Sequence, residues 1–206
     1  MTIGILYYYP LQRFIDFENM LHTSEKTHNA IALFNKWNEA VVEDYNKVKG
    51  DISITRSDSQ RSIFEGKGGS LPIFGKNSHT DDIELFPSVF NLINELDSDP
   101  NIQTTSVCAA IYQSKGRSNL HTDFDNEFSV WKMPGKLFNR KVRRYIAHMA
   151  IIIPDNCHFY HFDKTITKIN WKLNESFMFE MYDKHWSVNN SDSTRVICMY
   201  TFIEAV

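Results

Sequence analysis

The chain lacks the features that mark secreted, membrane-spanning or nucleic-acid-binding proteins. Its three cysteines, Cys108, Cys157 and Cys198, are an odd number with no close pair, so we predict a reduced, cytoplasmic protein without a disulfide framework. No apolar run approaches the length that spans a bilayer, and the first twenty residues lack the basic and apolar segments of a signal peptide. The net charge of -3 gives no basic surface, so we expect neither a membrane nor a nucleic acid as partner.

The sequence is also without internal repeats, low-complexity segments or linkers rich in Gly, Ser or Pro. Its 206 residues are enough to bury one core. We therefore expect a single domain over residues 1–206, with a mostly helical support region over 1–100 and a β core over 104–206. Aromatic residues make up 14% of the chain, which suits sheet surfaces and apolar-walled pockets.

Two stretches of the first half have helical periodicity. From Thr27 to Val48 the apolar side chains recur at steps of three and four, and Gly50 ends the pattern. A second amphipathic helix is predicted from about Phe86 to Leu96, with Pro87 in its first turn, where proline is tolerated. Residues 51–83 are polar and contain several glycines, which predicts a loop with room for one short strand.

The second half is rich in short apolar and β-branched segments. These strand-like segments are Val107–Tyr112, Tyr145–Ile153, Phe177–Val188 and Arg195–Ile203. Turn-forming residues at 154–156 and a polar string at 189–193 separate them. Helices followed by many short strands predict an antiparallel sandwich or small barrel that helices buttress.

The spacing His-x-Asp, with a second histidine far away in the chain, is typical of non-heme iron(II) sites. It occurs three times here, at His79-Thr80-Asp81, His121-Thr122-Asp123 and His161-Phe162-Asp163, so the spacing alone locates nothing. The first lies in a polar stretch with no predicted strand before it. The third stands 24 positions before His185, which we interpret as too little chain for the intervening strands. The second follows a strand and stands 64 positions before His185, so we expect the metal there.

His185 and Arg195 flank the polar string at 189–193. If the two segments form a hairpin centred near Ser191, His185 lies across from Ile197 and Arg195 points to the same face. An imidazole ligand with a guanidinium nearby suits a chelating dicarboxylate, because its 2-oxo acid end binds the metal and its far carboxylate binds arginine. The alternative is a surface arginine that closes a hairpin, beside a histidine in an aromatic-rich sheet.

Several segments between about residues 84 and 203 resemble the aspartyl/asparaginyl β-hydroxylases and their relatives, which include bacterial proline cis-hydroxylases. The matching segments are Phe86-Pro87 at the start of a helix, His121, RRYIAHMAIIIPDNC at 143–157, Trp171, and KHWSVNNSDSTRVI at 184–197. The resemblance implies a double-stranded β-helix (a cupin-like jelly roll) with N-terminal helices. It also implies a dioxygenase that uses iron(II), 2-oxoglutarate and O2 to hydroxylate an unactivated C–H bond. The implied substrate is small, an amino acid or an amino-acid-derived metabolite.

The resemblance assigns His121, Asp123 and His185 to the metal and to catalysis, and Arg195, His148 and Arg144 to the cosubstrate. Asp123 is a feature of the proline hydroxylase branch, since family members of the vertebrate type have no carboxylate two residues after the first histidine. Ile146 stands where many members carry a further arginine, so cosubstrate binding here is expected to depend more on Arg195 and His148.

Residues 124–143 stand where relatives have a short connection. Long loops over the mouth of a jelly roll often form lids or substrate walls, which makes Trp131, Met133 and Phe138 lid candidates. Packing of the loop onto the barrel explains these residues equally well. Asp183 shares a strand face with His185, so it is expected to orient a ligand histidine or to meet a cationic substrate. The alternative for Asp183 is a surface charge at a strand end.

Two other functions are compatible with the sequence. The first is a peptide or protein residue hydroxylase, which needs an open groove in place of a lid. The second is a non-catalytic, cupin-like metal-binding sensor domain, which has no use for a cation such as Arg195. Among the remaining polar residues, His158 and His161 are expected at the rim or in solvent, and the three cysteines are expected to be small buried residues without nucleophilic function.

Overall fold

The computed structural model describes residues 25–49, 64–65, 68–75, 83–123, 137, 140–162 and 164–205. The two α-helices of this part are α1 (Glu25–Val48) and α2 (Pro87–Asp97), and a 3-10 turn at Ile83–Leu85 precedes α2. The strands are β1 (Phe64–Glu65), β2 (Gly68–Phe74), β3 (Ile102–Tyr112), β4 (Arg117–Ser118), β5 (Val142–Ile152), β6 (Cys157–Phe162), β7 (Ile166–Ile169), β8 (Phe177–Glu180), β9 (Lys184–Asn189) and β10 (Arg195–Ala205). No helix within these ranges is long and apolar enough to cross a membrane.

Within the described residues the strands form two five-stranded antiparallel sheets. The major sheet has the order β2-β3-β10-β5-β8, and the minor sheet has the order β1-β4-β9-β6-β7. From β7 onward each strand lies in the sheet opposite to the one before it. This alternation is that of a double-stranded β-helix, and it confirms the predicted fold class, a mainly β jelly roll with helices before it.

The two helices cover the outer face of the major sheet. The ring of Phe34 on α1 lies 5.0 Å from that of Tyr200 and 6.1 Å from that of Phe202, both on β10. All three side chains are fully buried. The helical stripe predicted from the sequence is the face of α1 that packs here, because its apolar residues recur with the period of the helix.

Strand β10 contributes side chains to both faces of the major sheet. Successive strand residues point to opposite faces, so Val196, Cys198 and Tyr200 pack toward the helices. Ile197 and Met199 belong instead to a second apolar cluster, which includes side chains of both sheets. Alternate side chains of β10 therefore fill two places, the helix-facing core and the interior between the sheets.

The predicted hairpin between His185 and Arg195 is wrong. Strand β9 pairs with β4 and β6 in the minor sheet, whereas β10 pairs with β3 and β5 in the major sheet. His185 stands opposite His161, and Ile197 stands opposite Ala110 and Ala150. The polar string at 189–193 crosses from one sheet to the other, since a turn-forming composition serves a crossing as well as a hairpin.

Two further strand predictions are corrected. The segment Phe177–Val188 is not one strand: β8 ends at Glu180, a turn follows, and β9 begins at Lys184 in the other sheet. The polar region 51–83 contains more strand than expected, since β2 spans Gly68–Phe74 at the edge of the major sheet. The composition of this segment did not indicate a strand, because edge strands are less apolar than central ones.

Candidate metal centre and cosubstrate pocket

Two histidines meet at the end of the minor sheet. His121 follows β4 and forms an isolated bridge with His185 of β9. Each backbone N–H donates to the other residue's carbonyl, at 3.0 and 2.9 Å. Because Asp123 is two residues further on, its side chain reaches the same place. One donor atom from each of His121, Asp123 and His185 lies within 4.8 Å of the others.

Main-chain carbonyls fix both imidazole rings. The Nδ1 atom of His121 lies 2.6 Å from the carbonyl oxygen of Asn119, and that of His185 lies 3.0 Å from the carbonyl oxygen of Asp183. A carbonyl only accepts, so each Nδ1 carries a proton, which makes Nε2 the ring atom that could give its lone pair to a metal. Both Nε2 atoms face Asp123, at 3.5 Å for His121 and 3.1 Å for His185.

The electrostatics of this group favour an ionised carboxylate. Burial by itself raises the pKa of Asp123, but hydrogen bonds from His121 and His185 outweigh it and hold that pKa well below its ordinary value. Burial lowers the pKa of His121, and the neighbouring Asp123 carboxylate more than reverses this, so the net shift is upward. Two imidazoles and one ionised carboxylate are the donor set of a non-heme iron(II) site.

Arg195 is buried, and no carboxylate of the described residues pairs with it. Its guanidinium carbon lies 3.8 Å from the ring centre of Tyr112 and 4.5 Å from that of Trp171. The side chain is 0% exposed, and none of its three nitrogens has a hydrogen-bond acceptor among the described residues. Burial lowers the pKa of Arg195. An uncompensated buried charge costs about 3–5 kcal/mol, so the pocket is suited to a ligand that brings a carboxylate.

His148 lies on the inner face of β5. It is buried among the rings of Phe159, Phe177 and Phe179, with centroid distances of 5.0–5.1 Å. Neither ring nitrogen has a hydrogen-bond partner in the described part of the chain. Burial, with smaller contributions from the charges of His185 and Arg195, lowers the pKa of His148 well below its ordinary value, so the imidazole is neutral. These unpaired polar atoms fit a 2-oxo dicarboxylate between the metal ligands and Arg195.

The structure does not bring Arg144 to Arg195. Arg144 pairs with Ile203 near the end of β10, whereas Arg195 pairs with Tyr112 at its start. Eight strand residues separate these positions, which is roughly 25 Å. The Arg144 guanidinium instead donates to the hydroxyl of Tyr182 at 3.1 Å. Arg144 therefore lies away from the end of the barrel at which Arg195 is buried.

Asp183 connects two histidines. Its main-chain carbonyl accepts from His185, and its side-chain Oδ2 lies 2.9 Å from Nε2 of His161. The Asp183 side chain is 31% exposed, so it also reaches the surface. Together with Arg144 and Tyr182, His161 and Asp183 form what we call the rim cluster.

His161 is buried within the rim cluster, so of the two expected positions, rim or solvent, the structure excludes the solvent-facing one. The expectation that the 24 positions between His161 and His185 are too few for both to lie on adjacent strands is wrong, because β6 and β9 are direct neighbours. The missed signal is the alternation Cys157-x-Phe159-x-His161, which marks an inward strand face. His161 nevertheless hydrogen bonds to Asp183 and is not one of the three grouped ligands.

Several predicted residues fall outside the described part of the chain. These are the lid candidates Trp131, Met133 and Phe138 and the motif residues His79, Asp81 and Asp163. The cysteines are described and are free thiols. Burial raises the pKa of Cys108 to about 12 and also raises the pKa values of Cys157 and Cys198, so all three are protonated at neutral pH.

The fold and site together define a class, the jelly-roll enzymes that hold a metal on two histidines and a carboxylate. The sequence model of the aspartyl/asparaginyl β-hydroxylase family matches residues 11–205, nearly the whole chain. The chain belongs to this family. It is a 2-oxoglutarate-dependent oxygenase of the hydroxylase type that uses iron(II), 2-oxoglutarate and O2. No protein of curated function matches the sequence.

Solved structures with a similar fold support the architecture. A prolyl hydroxylase from Trichoplax adhaerens, in complex with a hypoxia inducible factor peptide fragment, is 12% identical with a TM-score of 0.53, over 89% of this chain and 93% of that one. An oxidoreductase of the 2OG-Fe(II) oxygenase family from Burkholderia pseudomallei is 6% identical with a TM-score of 0.51, over 78% and 77%. The carbocyclase SnoK from nogalamycin biosynthesis is 10% identical with a TM-score of 0.50, over 89% and 77%.

Proposed function

We propose that the enzyme hydroxylates an unactivated C–H bond of a free amino acid or an amino-acid-derived metabolite. In this proposal iron(II) is held by His121, Asp123 and His185, and the far carboxylate of 2-oxoglutarate is held by Arg195. The observation that carries the proposal is the buried Arg195 guanidinium, which has no acceptor among the described residues and lies in the same interior as the three grouped ligands.

The metal with its cosubstrates supplies the oxidising chemistry that replaces hydrogen by hydroxyl. The residues of the chain bind, orient and exclude water. His121 and His185, through their Nε2 lone pairs, and ionised Asp123 would hold the metal. Arg195 provides a fixed positive charge, and the neutral imidazole of His148 provides a polar contact in an otherwise apolar wall. The aromatic lining keeps this end of the pocket dry.

The rim cluster supports an amino acid as substrate. Arg144 is a cation that binds carboxylates, and Asp183 is an anion that binds ammonium groups. The two residues lie near each other, since Arg144 donates to the hydroxyl of Tyr182, which directly precedes Asp183 in the chain. Opposite charges at one rim match the two charged groups of a free amino acid. We therefore propose that Arg144 acts on the substrate, because its distance from Arg195 separates it from the cosubstrate carboxylate.

Succinate release tests this function. The iron-loaded enzyme is supplied with 2-oxoglutarate, O2 and a panel of free amino acids, and with the same residues inside capped peptides. We expect some free amino acids to stimulate succinate formation and to gain one oxygen atom by mass spectrometry. Stimulation by peptides alone would instead show a peptide hydroxylase, and failure to bind 2-oxoglutarate would leave a metal-binding sensor domain.

A matched pair of variants tests the cosubstrate assignment. Arg195→Met removes the buried cation, and we expect 2-oxoglutarate affinity to fall by more than about 100-fold, since the charged pair is desolvated. Arg117→Met makes the same change at an exposed position on β4 and should bind 2-oxoglutarate like the wild type. Equal affinities in the two variants would contradict the role of Arg195.

Two coarser proposals accompany this function. Residues 1–206 act as one oxygenase domain in which 1–100 support 104–206, and the protein is cytoplasmic. The three free thiols support the location, because unpaired cysteines persist in a reducing compartment. Fractionation of the native host cell, with the protein detected by antibody, tests it.

A further inference from the structure

Trp171 lies directly against the buried arginine. Its ring is 4.5 Å from the guanidinium carbon of Arg195, and it stacks at 6.1 Å on the imidazole of His148. Phe159 and Phe177 pack against its other edges, at 5.7 and 6.2 Å. The indole is 4% exposed, so its position is fixed by side chains and its N–H has no access to bulk water.

The indole N–H of Trp171 has no hydrogen-bond partner among the described residues. Trp37 shows the ordinary arrangement, since its indole donates to Glu95 at 2.8 Å. Buried polar groups are hydrogen-bonded in the great majority of cases, and a buried donor without an acceptor destabilises the protein. An unpaired indole N–H in a dry pocket therefore indicates that a ligand supplies the acceptor.

The unpaired nitrogens around Trp171 lie close together. In the part of the chain that is described, three nitrogens of Arg195, two of His148 and one of Trp171 lack partners, and the three side chains contact one another through Trp171. The two rings that contact the guanidinium differ in this respect. Burial raises the pKa of Tyr112, and the charge of Arg195 together with hydrogen bonding to Ser187 and Ser118 lowers it in part, so the Tyr112 hydroxyl has partners.

We propose that Trp171 is a specificity-determining residue of the 2-oxoglutarate site. Its ring face, with that of Tyr112, holds the Arg195 guanidinium in place, and its indole N–H donates to the same carboxylate that Arg195 binds. This inference rests on the proposed role of Arg195. It adds a neutral donor beside the cation, so the pocket selects a carboxylate by hydrogen-bond geometry as well as by charge.

The rings also stabilise the buried guanidinium. A guanidinium over an aromatic face is attracted by the ring, and the attraction is stronger when both groups are desolvated. Two such faces offset part of the cost of burying Arg195 before the cosubstrate binds. The guanidinium is thus already oriented when the dicarboxylate arrives, and less conformational entropy is lost on binding.

A matched pair of ligands isolates the carboxylate contact. 2-Oxoglutarate and 5-methyl-2-oxohexanoate share the 2-oxo acid end and are nearly isosteric, but the second has an isopropyl group in place of the far carboxylate. Both are titrated into the full-length protein loaded with zinc(II), which is diamagnetic and does not turn over. Dissociation constants come from calorimetry, so no catalytic activity is needed.

A matched pair of substitutions isolates the indole N–H. Trp171→Phe keeps an aromatic face and removes the donor, whereas Trp186→Phe makes the same change on the outer face of β9, where Trp186 stacks on Tyr160. We expect W171F to lose about 10- to 100-fold in affinity for 2-oxoglutarate and little for 5-methyl-2-oxohexanoate. W186F should match the wild type with both. Equal losses for both ligands in W171F would reduce Trp171 to a packing residue and overturn the proposal.

The indole resonances of the wild-type protein give a test that depends on no variant being folded. In the 15N–1H spectrum of the zinc-loaded protein, the Trp171 indole peak should move downfield with 2-oxoglutarate and stay nearly fixed with 5-methyl-2-oxohexanoate. The Trp186 peak should not move with either ligand. Binding of 2-oxoglutarate without a shift at Trp171 refutes the inference alone. Absence of any binding, in wild type and variants alike, refutes the proposed function as well.

Discussion

At the scale of single residues, the candidate metal centre is oriented by backbone more than by side chains. His121 and His185 donate Nδ1–H to main-chain carbonyls, those of Asn119 and Asp183. A carbonyl is retained whatever side chain the residue carries. The ring orientations are therefore insensitive to most substitutions at these two positions, although supporting groups of metal ligands ordinarily matter about 10- to 100-fold.

This arrangement predicts that substitutions at Asp183 and at His185 have different effects on metal affinity. Asp183→Ala removes the carboxylate that binds His161 but leaves the carbonyl, so manganese(II) affinity should stay within about twofold of wild type. His185→Ala removes a ligand and should weaken binding by more than about 100-fold. Asn119→Ala serves as a second carbonyl-retaining control. A loss in D183A as large as that in H185A would show that the Asp183 carboxylate acts at the metal.

His148 predicts a pH dependence of stability. Burial holds its pKa well below 6.5 in the folded protein, so at mildly acidic pH the unfolded chain binds a proton that the folded chain does not. The free energy of unfolding should therefore fall as the pH drops below about 6.5, by up to about 1.4 kcal/mol per pH unit, until the folded-state pKa is passed. His148→Phe removes this contribution.

Urea unfolding of the metal-free protein at several pH values between about 7 and about 5 measures the effect. H148F should show a shallower fall than the wild type. His158→Phe, on the outer face of β6, keeps the buried imidazole and should follow the wild-type curve. Parallel curves for H148F and the wild type would mean that His148 is charged in the folded state.

At the scale of elements, one polar residue anchors α1 to the sheet. Asn38 is buried, donates from its amide to the carbonyl of Ala150 at 2.9 Å, and accepts from the backbone N–H of Asn174 at 3.1 Å. The helical periodicity of the sequence predicts the stripe on which Asn38 lies. It does not predict these partners, because they come from β5 and from a loop more than a hundred residues away.

Asn38→Ala should therefore destabilise the protein by about 1–3 kcal/mol, since it leaves buried backbone groups unpaired. Thermal or urea unfolding measures this loss. Glu39→Ala, at the next and exposed position of the same helix, should change stability by no more than about 0.5 kcal/mol. Zinc(II) affinity should be unchanged in both variants, and a selective loss of metal binding in N38A would contradict a purely structural anchor.

At the scale of the whole molecule, the two apolar clusters share the strands of the major sheet. Strand β10 gives Val196 and Tyr200 to the helix-facing cluster and Ile197 and Met199 to the interior cluster. Neither cluster can lose its packing without exposing the other face of the same strand. This sharing supports one cooperative unit, as proposed for the single domain.

We expect the metal-free protein to unfold in one transition, with coincident midpoints by far-ultraviolet circular dichroism and by tryptophan fluorescence. Zinc(II) with 2-oxoglutarate should raise the midpoint, because both bind the folded state. Arg195→Met should lose the increment that 2-oxoglutarate adds and keep that of the metal. Two separated transitions would indicate that the helical region and the β core unfold independently.

The sequence by itself determined the features that depend on local periodicity. Both helices and the strand-rich second half follow from the local pattern of side chains, which is a property of the chain within a few residues. The grouping of His121, Asp123 and His185 was predicted from spacing and resemblance together.

Only the tertiary structure decided which strands are neighbours. It placed β9 and β10 in opposite sheets, so His185 and Arg195 lie in one interior without forming a hairpin. It buried His161 beside His185 and set Arg144 far from Arg195. Pairing between distant segments depends on the packing of both sheets at once, and a turn-forming string such as residues 189–193 has the same composition in a hairpin as in a crossing between sheets.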